Sequence, residues 1–296
     1  MADTPSTAPP LPGYSYEHFR ITRPLDQGQQ HWTAHVEIDR PRKLNAFVPG
    51  MWRELGDVFR RLGREAEVRA VVLSGAGPRA FSAGLDIGDA AAGPLSAPGG
   101  EGDAARRAWA FRREIEEFQG CVGEVERCEK PVICVLHGIS FGLAIDIASC
   151  ADIRLCSRET RFSVKEVDIG LAADIGTLAR LPKIVGSTTW VKEVCFTGRE
   201  FSASEALDVG FVSRVLDDKA SAVDAGLALA AVLAEKSPVA LQGTKELINR
   251  GRELSTAEAL RYTAVWNSVA LQTEDVAVAI GRVVGKGKKK AVFEKL

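Results

Sequence analysis

Asp146 stands in the run Leu143-Ala144-Ile145-Asp146-Ile147-Ala148, where every neighbour is apolar. A carboxylate in such a setting is unfavourable unless it is used or paired. Further on, Lys165-Glu166-Val167-Asp168-Ile169-Gly170-Leu171-Ala172-Ala173-Asp174 places three acids, Glu166, Asp168 and Asp174, within nine residues. Acids gathered in a desolvating site can do general acid–base work, because burial and like charge raise carboxylic pKa values until one group donates and another accepts a proton near neutrality. Each acid also has a plainer explanation. Asp146 could sit in a buried salt bridge with Arg154 or Lys165, and Asp174 could cap the helix expected after Ile175. If 164 to 168 is extended, Glu166 and Asp168 share a face. Asp168 is read as a solvated or ion-paired surface acid.

Two turns have the same grammar: Phe81-Ser82-Ala83-Gly84-Leu85-Asp86 and Ser140-Phe141-Gly142-Leu143-Ala144-Ile145-Asp146. Each is a small-residue turn leaving a strand and can aim a backbone N–H outward. Two converging donors would stabilise an oxygen that gains charge, and at the second turn a helix N-terminus would assist. Taken singly, either turn could simply use its glycine for a positive φ. Asp146 lies one helical turn past the Leu143 amide, within reach of the space in front of it. Ser74-Gly75-Ala76-Gly77-Pro78-Arg79-Ala80 satisfies a G-x-G-x-x-A pattern after a strand, but Pro78 and the loop that follows leave no helix to open on the glycines, so a dinucleotide site is rejected.

The elements that must position these residues follow from periodicity. Residues 32 to 39 alternate as a half-buried strand, Met51, Trp52, Leu55, Val58, Phe59 and Leu62 recur at helical spacing after Pro49, and Ala70-Val71-Val72-Leu73 is a strand. A Gly/Ala/Pro-rich surface excursion runs to about Gly102, a long helix fills 103 to 128, and Pro131 to Leu136 is a buried strand. A short helix is expected from Leu143 to about Ala151, a strand at Ile153-Arg154-Leu155, and helices near 219 to 236, 239 to 250, 256 to 272 and 274 to 284. The order predicts an α/β core with a helical C-terminal region. Three stretches result: a disordered tail over 1–13, a core over 14–203, and helices over 204–296 that serve oligomerisation and cover the site.

The chain has 296 residues, 46% of them hydrophobic, and a formal net charge of −1, so nothing draws it to nucleic acid. The six cysteines form no C-x-x-C pair and read as reduced thiols, and the four histidines show no zinc spacing; no metal is expected. No apolar run is long enough to cross a bilayer, and MADTPSTAPPLPGYSYEH lacks the marks of a secretory or mitochondrial leader. Glu294-Lys295-Leu296 is a variant of the S-K-L peroxisomal address, with the cytoplasm as runner-up.

AFSAGLDI (80 to 87), HGISFGLAIDIASCADIRLC (137 to 156) and FSVKEVDIGLAADIGTLARLPKIVG (162 to 186) resemble the crotonase, or enoyl-CoA hydratase/isomerase, superfamily. RPRKLNAF (40 to 47) and FTGREFSASEALDVGFVSRV (196 to 215) extend the resemblance to about residues 15 to 290. It implies a spiral of β-β-α repeats, a homotrimer or a homohexamer built as a dimer of trimers, and an acyl-CoA thioester substrate. The oxyanion hole would be the Leu85 and Leu143 amides, with Ala83, Gly84, Leu85, Asp86, Ile87 and Leu143 against the substrate. Coenzyme A enters as part of the substrate, and no cofactor is implied. Hydratases of the superfamily carry glutamates at the positions of Asp146 and Glu166 and glycine at that of Asp174. The triplet Asp146, Glu166 and Asp174 looks instead like its dienoyl-CoA isomerases, which implies conversion of a 3,5-dienoyl-CoA to the 2,4-dienoyl isomer in fatty-acid β-oxidation. The usual three glycines at the second turn are here Gly142-Leu143-Ala144, whose side chains are expected to narrow the approach. An enoyl-CoA hydratase, and a non-catalytic or RNA-binding member of the fold, are the alternatives.

Overall fold

The computed structural model describes residues 8–26, 29, 30, 32–86, 88, 103–284 and 292–296. The chain opens with β1 (Phe19–Thr22), β2 (Leu25–Asp26), β3 (Gln29–Gln30), β4 (Thr33–Ile38) and α1 (Pro49–Arg64). Three strand–strand–helix units follow: β5 (Ala70–Gly75), β6 (Ala80–Ser82) and α2 (Ala104–Arg127); β7 (Val132–Leu136), β8 (Ile139–Phe141) and α3 (Leu143–Cys150); β9 (Ile153–Ser157), β10 (Arg161–Ser163) and α4 (Thr177–Ile184). α5 (Thr188–Thr197), β11 (Phe201–Ser202), α6 (Ala203–Asp208) and β12 (Arg214–Leu216) lead to α7 (Lys219–Ala234), α8 (Pro238–Gly251), α9 (Thr256–Ala270) and α10 (Glu274–Val284).

Each unit gives its first strand to one sheet and its second strand to another. The larger sheet runs β1-β4-β5-β7-β9-β12 and the smaller β11-β10-β8-β6, so the chain advances by one strand in both sheets at every repeat, as the expected β-β-α spiral requires. β4 through β12 pair in parallel in the large sheet, as do β6, β8 and β10 in the small one. Register in the small sheet sets Ser82 beside Ser140 and Phe141 beside Ser163. The segments leaving these three strands therefore emerge side by side.

The helical periodicities appear where the spacing placed them. α1 starts with Pro49 at its first turn and buries Met51, Leu55, Val58, Phe59 and Leu62. Gly56 allows close approach to α2: a Cβ there would lie 3.0 Å from the Cys121 Cα. β4 departs from expectation. All six of its residues are buried rather than alternate ones. Its polar positions are paired within the fold, His35 with Ser74 at 2.8 Å and Glu37 with Arg20, and α7 packs over the second face of the sheet, against Val72, Ile133 and Val135. Of the tail expected over 1–13, residues 1–7 lie outside the described residues; Leu11 is buried, and its N–H donates to the Ile21 carbonyl. Most of the expected Gly/Ala/Pro-rich excursion, 89–102, also lies outside them.

Candidate active site

The two glycine turns leave β6 and β8, which are neighbours, and they abut. Gly84 has φ 92° and Gly142 φ 55°, both in the left-handed region open to glycine. A Cβ on Gly84 would lie 3.0 Å from the Phe141 carbonyl and 3.6 Å from the Leu143 nitrogen. Glycine at 84 thus keeps open the ground before the Leu143 amide.

Backbone pairing aims both donors. Phe47 forms a parallel bridge with Leu85, in which the Phe47 N–H donates to the Gly84 carbonyl and the Asp86 N–H to the Phe47 carbonyl. In a parallel bridge the flanking residues bond, so the Leu85 N–H points to the opposite side. Leu143 is the first residue of α3, and its N–H has no acceptor within the helix. Among the described residues neither amide has an acceptor. The side chain of Leu143 is 3% exposed and packs in the core, and Ala144 is fully buried.

Asp146 is 1% exposed, on the first turn of α3. The salt bridges considered for it do not form: Arg154 donates to the carbonyls of Phe211, Ala148 and Ala151, and Lys165 pairs with Asp168. Instead Oδ1 of Asp146 accepts from both the backbone N–H of Thr177, at 2.6 Å, and its hydroxyl, at 2.8 Å. Burial raises the Asp146 carboxyl to about 6, opposed by those two bonds.

Glu166 opens a short 3-10 helix, Glu166–Ile169, rather than continuing an extended strand. Glu166 and Asp168 consequently do not share a face in the way an extended chain would give. Asp168 turns to Lys165, whose ammonium also donates to the Gly198 carbonyl, and this clasp fastens the base of the segment to the end of α5. Glu166 reaches the glycine turn: a Cβ on Gly142 would lie 3.3 Å from its Oε1. Its Oε2 is buried without a hydrogen-bond partner among the described residues. Burial raises Glu166 to about 7, and the charges of Asp146 and Asp174 push in the same direction.

Asp174 does not cap the helix that follows. The N-cap of α4 is Gly176, with no side-chain cap, and the role falls to Asp146 through its bonds to Thr177. The Asp174 carbonyl accepts from Gln119 of α2 at 2.5 Å, while the side chain is exposed at a cleft of about 540 Å³ that Gln119, Arg180 and Leu178 also line. Partial burial raises its carboxyl above the usual value. Of the candidate residues Asp174 alone lines that cleft, and its charge stands behind burial among the influences that raise Asp146 and Glu166.

The remaining candidates divide. Ala83 and Gly84 form the first turn as expected. The Asp86 carboxylate is held by Arg40 at 2.7 Å, which keeps it below the ordinary carboxylate range. Ile87 lies outside the described residues. The segment Arg40 to Phe47, given no role in the sequence reading, is the scaffold of the first turn. Asn45, fully buried at φ 54°, donates to the carbonyls of Ala76 and Ala80, and its own carbonyl accepts from Ser82, whose hydroxyl oxygen in turn accepts from the Gly84 N–H. An Asn inside a mixed run such as Lys43-Leu44-Asn45-Ala46 was the available signal; asparagine tolerates left-handed backbone better than most residues.

Residues 28–295 match the family described as enoyl-CoA hydratase/isomerase. The chain is 45% identical over 286 residues to a human protein named Delta(3,5)-Delta(2,4)-dienoyl-CoA isomerase, mitochondrial, covering 96% of this chain and 85% of that one. It is 37% identical to an Arabidopsis thaliana protein of the same name, peroxisomal, covering 88% and 92%. A crystal structure of a putative enoyl-CoA hydratase from Streptomyces coelicolor superposes with a TM-score of 0.81 at 29% identity, over 98% of this chain and 99% of the other.

Proposed function

This chain belongs to the enoyl-CoA hydratase/isomerase family, and we propose that within it the chain is a Δ3,5-Δ2,4-dienoyl-CoA isomerase. The observation that carries the reading is Glu166 lying against the Gly142 turn that presents the Leu143 amide, with Asp146 buried one helical turn further on, in a chain 45% identical to a human protein named a dienoyl-CoA isomerase. The thioester oxygen of a 3,5-dienoyl-CoA accepts from the Leu85 and Leu143 amides. Glu166 removes a C2 proton, the electron pair delocalises as a dienolate toward C6, and Asp174 protonates C6. The product holds its double bonds at C2 and C4, and the proton taken by Glu166 passes to Asp174 before the next turnover, so no external redox partner or water is consumed.

The electrostatics suit these roles. A base near 7 is matched to work at neutral pH, and a carboxyl raised above its usual value, as that of Asp174 is, suits a proton donor. Glu166 is raised by burial and by the charge of Asp146, and Asp174 by its own partial burial, so both can hold a proton above the usual carboxylate range. Offering purified protein a 3,5-dienoyl-CoA and a 2-enoyl-CoA separately, with conjugation and hydration followed by absorbance, tests the assignment: isomerisation is expected to be the faster reaction, and faster hydration refutes it.

The same reading includes a trimer or hexamer. Leu260, Val265, Val269, Ile280 and Val283, on α9 and α10, are largely exposed in the single chain, as an apolar assembly face would be. It also includes a peroxisomal location, supported by the name of the Arabidopsis relative, whereas the human relative is named mitochondrial. Among the described residues no helix is long and apolar enough to cross a membrane.

A further inference from the structure

Thr177 is fully buried, yet both its polar groups converge on a single atom, Oδ1 of Asp146, 31 residues away in the chain. Oδ2 of the same carboxylate has no hydrogen-bond partner among the described residues. A helix start needs its first N–H satisfied, which one bond achieves; the hydroxyl adds a second donor to an oxygen already occupied. Two donors on Oδ1 fix the carboxylate plane and hold negative charge at that edge, so any proton exchange by Asp146 passes through Oδ2.

We propose that Thr177 is a positioning residue of the reaction: by clamping Oδ1 of Asp146 it fixes this carboxylate and favours its charged form, and so holds the negative charge beside Glu166. The proposal rests on the isomerase reading only for its catalytic consequence. The groups that face Asp146 are few. Arg180 of α4 favours its charge, Asp174 opposes it, and Glu166 and the Cys195 thiol of α5 both feel it. Cys150 lies on the same helix, and Glu126 of α2 is paired with Arg180. β6 and β8, which also pack on α3, contribute Ala80-Phe81-Ser82 and Ile139-Ser140-Phe141, with no ionisable side chain.

The test compares Thr177→Val, which keeps the backbone donor and removes the hydroxyl, with Thr177→Ser, which keeps both. Protein labelled with carboxyl-¹³C aspartate is titrated by NMR, the Asp146 signal being assigned by its loss in Asp146→Asn. One hydrogen bond to a charged group corresponds to about one pKa unit or slightly more, so the Asp146 midpoint is expected to rise by about one unit in the valine variant and to stay at the wild-type value in the serine variant. The acid limb of the kcat/KM profile for a 3,5-dienoyl-CoA should shift with the valine substitution and be restored by serine. If the valine variant does not fold, Thr177→Ala takes its place with the same expected shift. An unmoved midpoint, or equal shifts in the serine and hydroxyl-free variants, overturns the proposal. Absence of isomerase activity in the wild type defeats the functional reading alone, because the titration still decides what Thr177 does.

Discussion

Asp146 and Asp174 are the same residue type acting on the same glutamate, and the structure treats them in opposite ways. Asp146 is sealed inside α3, bonded twice through one oxygen, and doubles as the cap of α4. Asp174 stands exposed on the loop ahead of α4, tethered through its backbone carbonyl, with its carboxyl left to the cleft. In the proposed reaction the buried, bonded acid would supply fixed charge and structure, and the exposed acid on its backbone tether would supply a proton. The two should therefore separate when activity and stability are measured on the same variants.

The largest separation is expected for Asp174→Gly. Isomerase turnover should fall by about 10²-fold or more, as for loss of a general acid, while stability changes by roughly 1 kcal/mol at most, the scale of a surface substitution with added backbone freedom. A turnover within a few-fold of wild type would reduce Asp174 to a bystander. Asp146→Ala should break the comparison from the other side: both Thr177 donors are stranded and α4 loses its cap, so denaturant unfolding at about pH 4, where the wild-type carboxyl carries no desolvation penalty, should show a loss of about 2–4 kcal/mol. A variant as stable as wild type would mean that the clamp is not structural.

On stability, Glu166→Gln gives a smaller effect than Asp146→Ala and sharpens the electrostatics. Its carboxyl is raised in the folded chain from 4.5 to about 7, so between those values the native state binds the proton more tightly than the unfolded state. Stability therefore falls as pH rises through that window, and the penalty is complete above about 7. Glutamine removes it, and the variant should be more stable than wild type by on the order of 1–3 kcal/mol at pH 8, with the gain gone by about pH 4. Equal stabilities at pH 8 would show that Glu166 is not desolvated.

Much of this architecture was legible because it is local. Pro49 and the apolar spacing behind it mark α1. Asp146 stood out because its six-residue window contains no other polar group, and the structure confirms its burial. What escaped was non-local or conformationally ambiguous. The Asp146–Thr177 clamp joins residues far apart in sequence, so no spacing rule could find it, and a helical cap on Asp174 was the nearest local guess. Val164 to Asp168 carries no residue that separates an extended segment from a single 3-10 turn; the Lys165–Asp168 pair and Gly170 at φ 83° decide it only once the chain is folded. The all-buried β4 read as half-buried because its partners Ser74 and Arg20 and its cover α7 lie elsewhere in the chain.

The division of labour between the acids is tested most directly by hydrogen exchange at C2. Wild type, Asp174→Asn and Glu166→Gln at equal concentration would each be given a 3,5-dienoyl-CoA in D₂O, and the recovered substrate and product read by mass spectrometry. With Glu166 as the C2 base and Asp174 as the C6 acid, Asp174→Asn should incorporate deuterium into recovered 3,5-dienoyl-CoA while forming no conjugated product, because the Leu85 and Leu143 amides still stabilise the dienolate, each by roughly 3 kcal/mol. Glu166→Gln should do neither. Exchange that survives in Glu166→Gln and vanishes in Asp174→Asn would contradict the account and reverse the two roles.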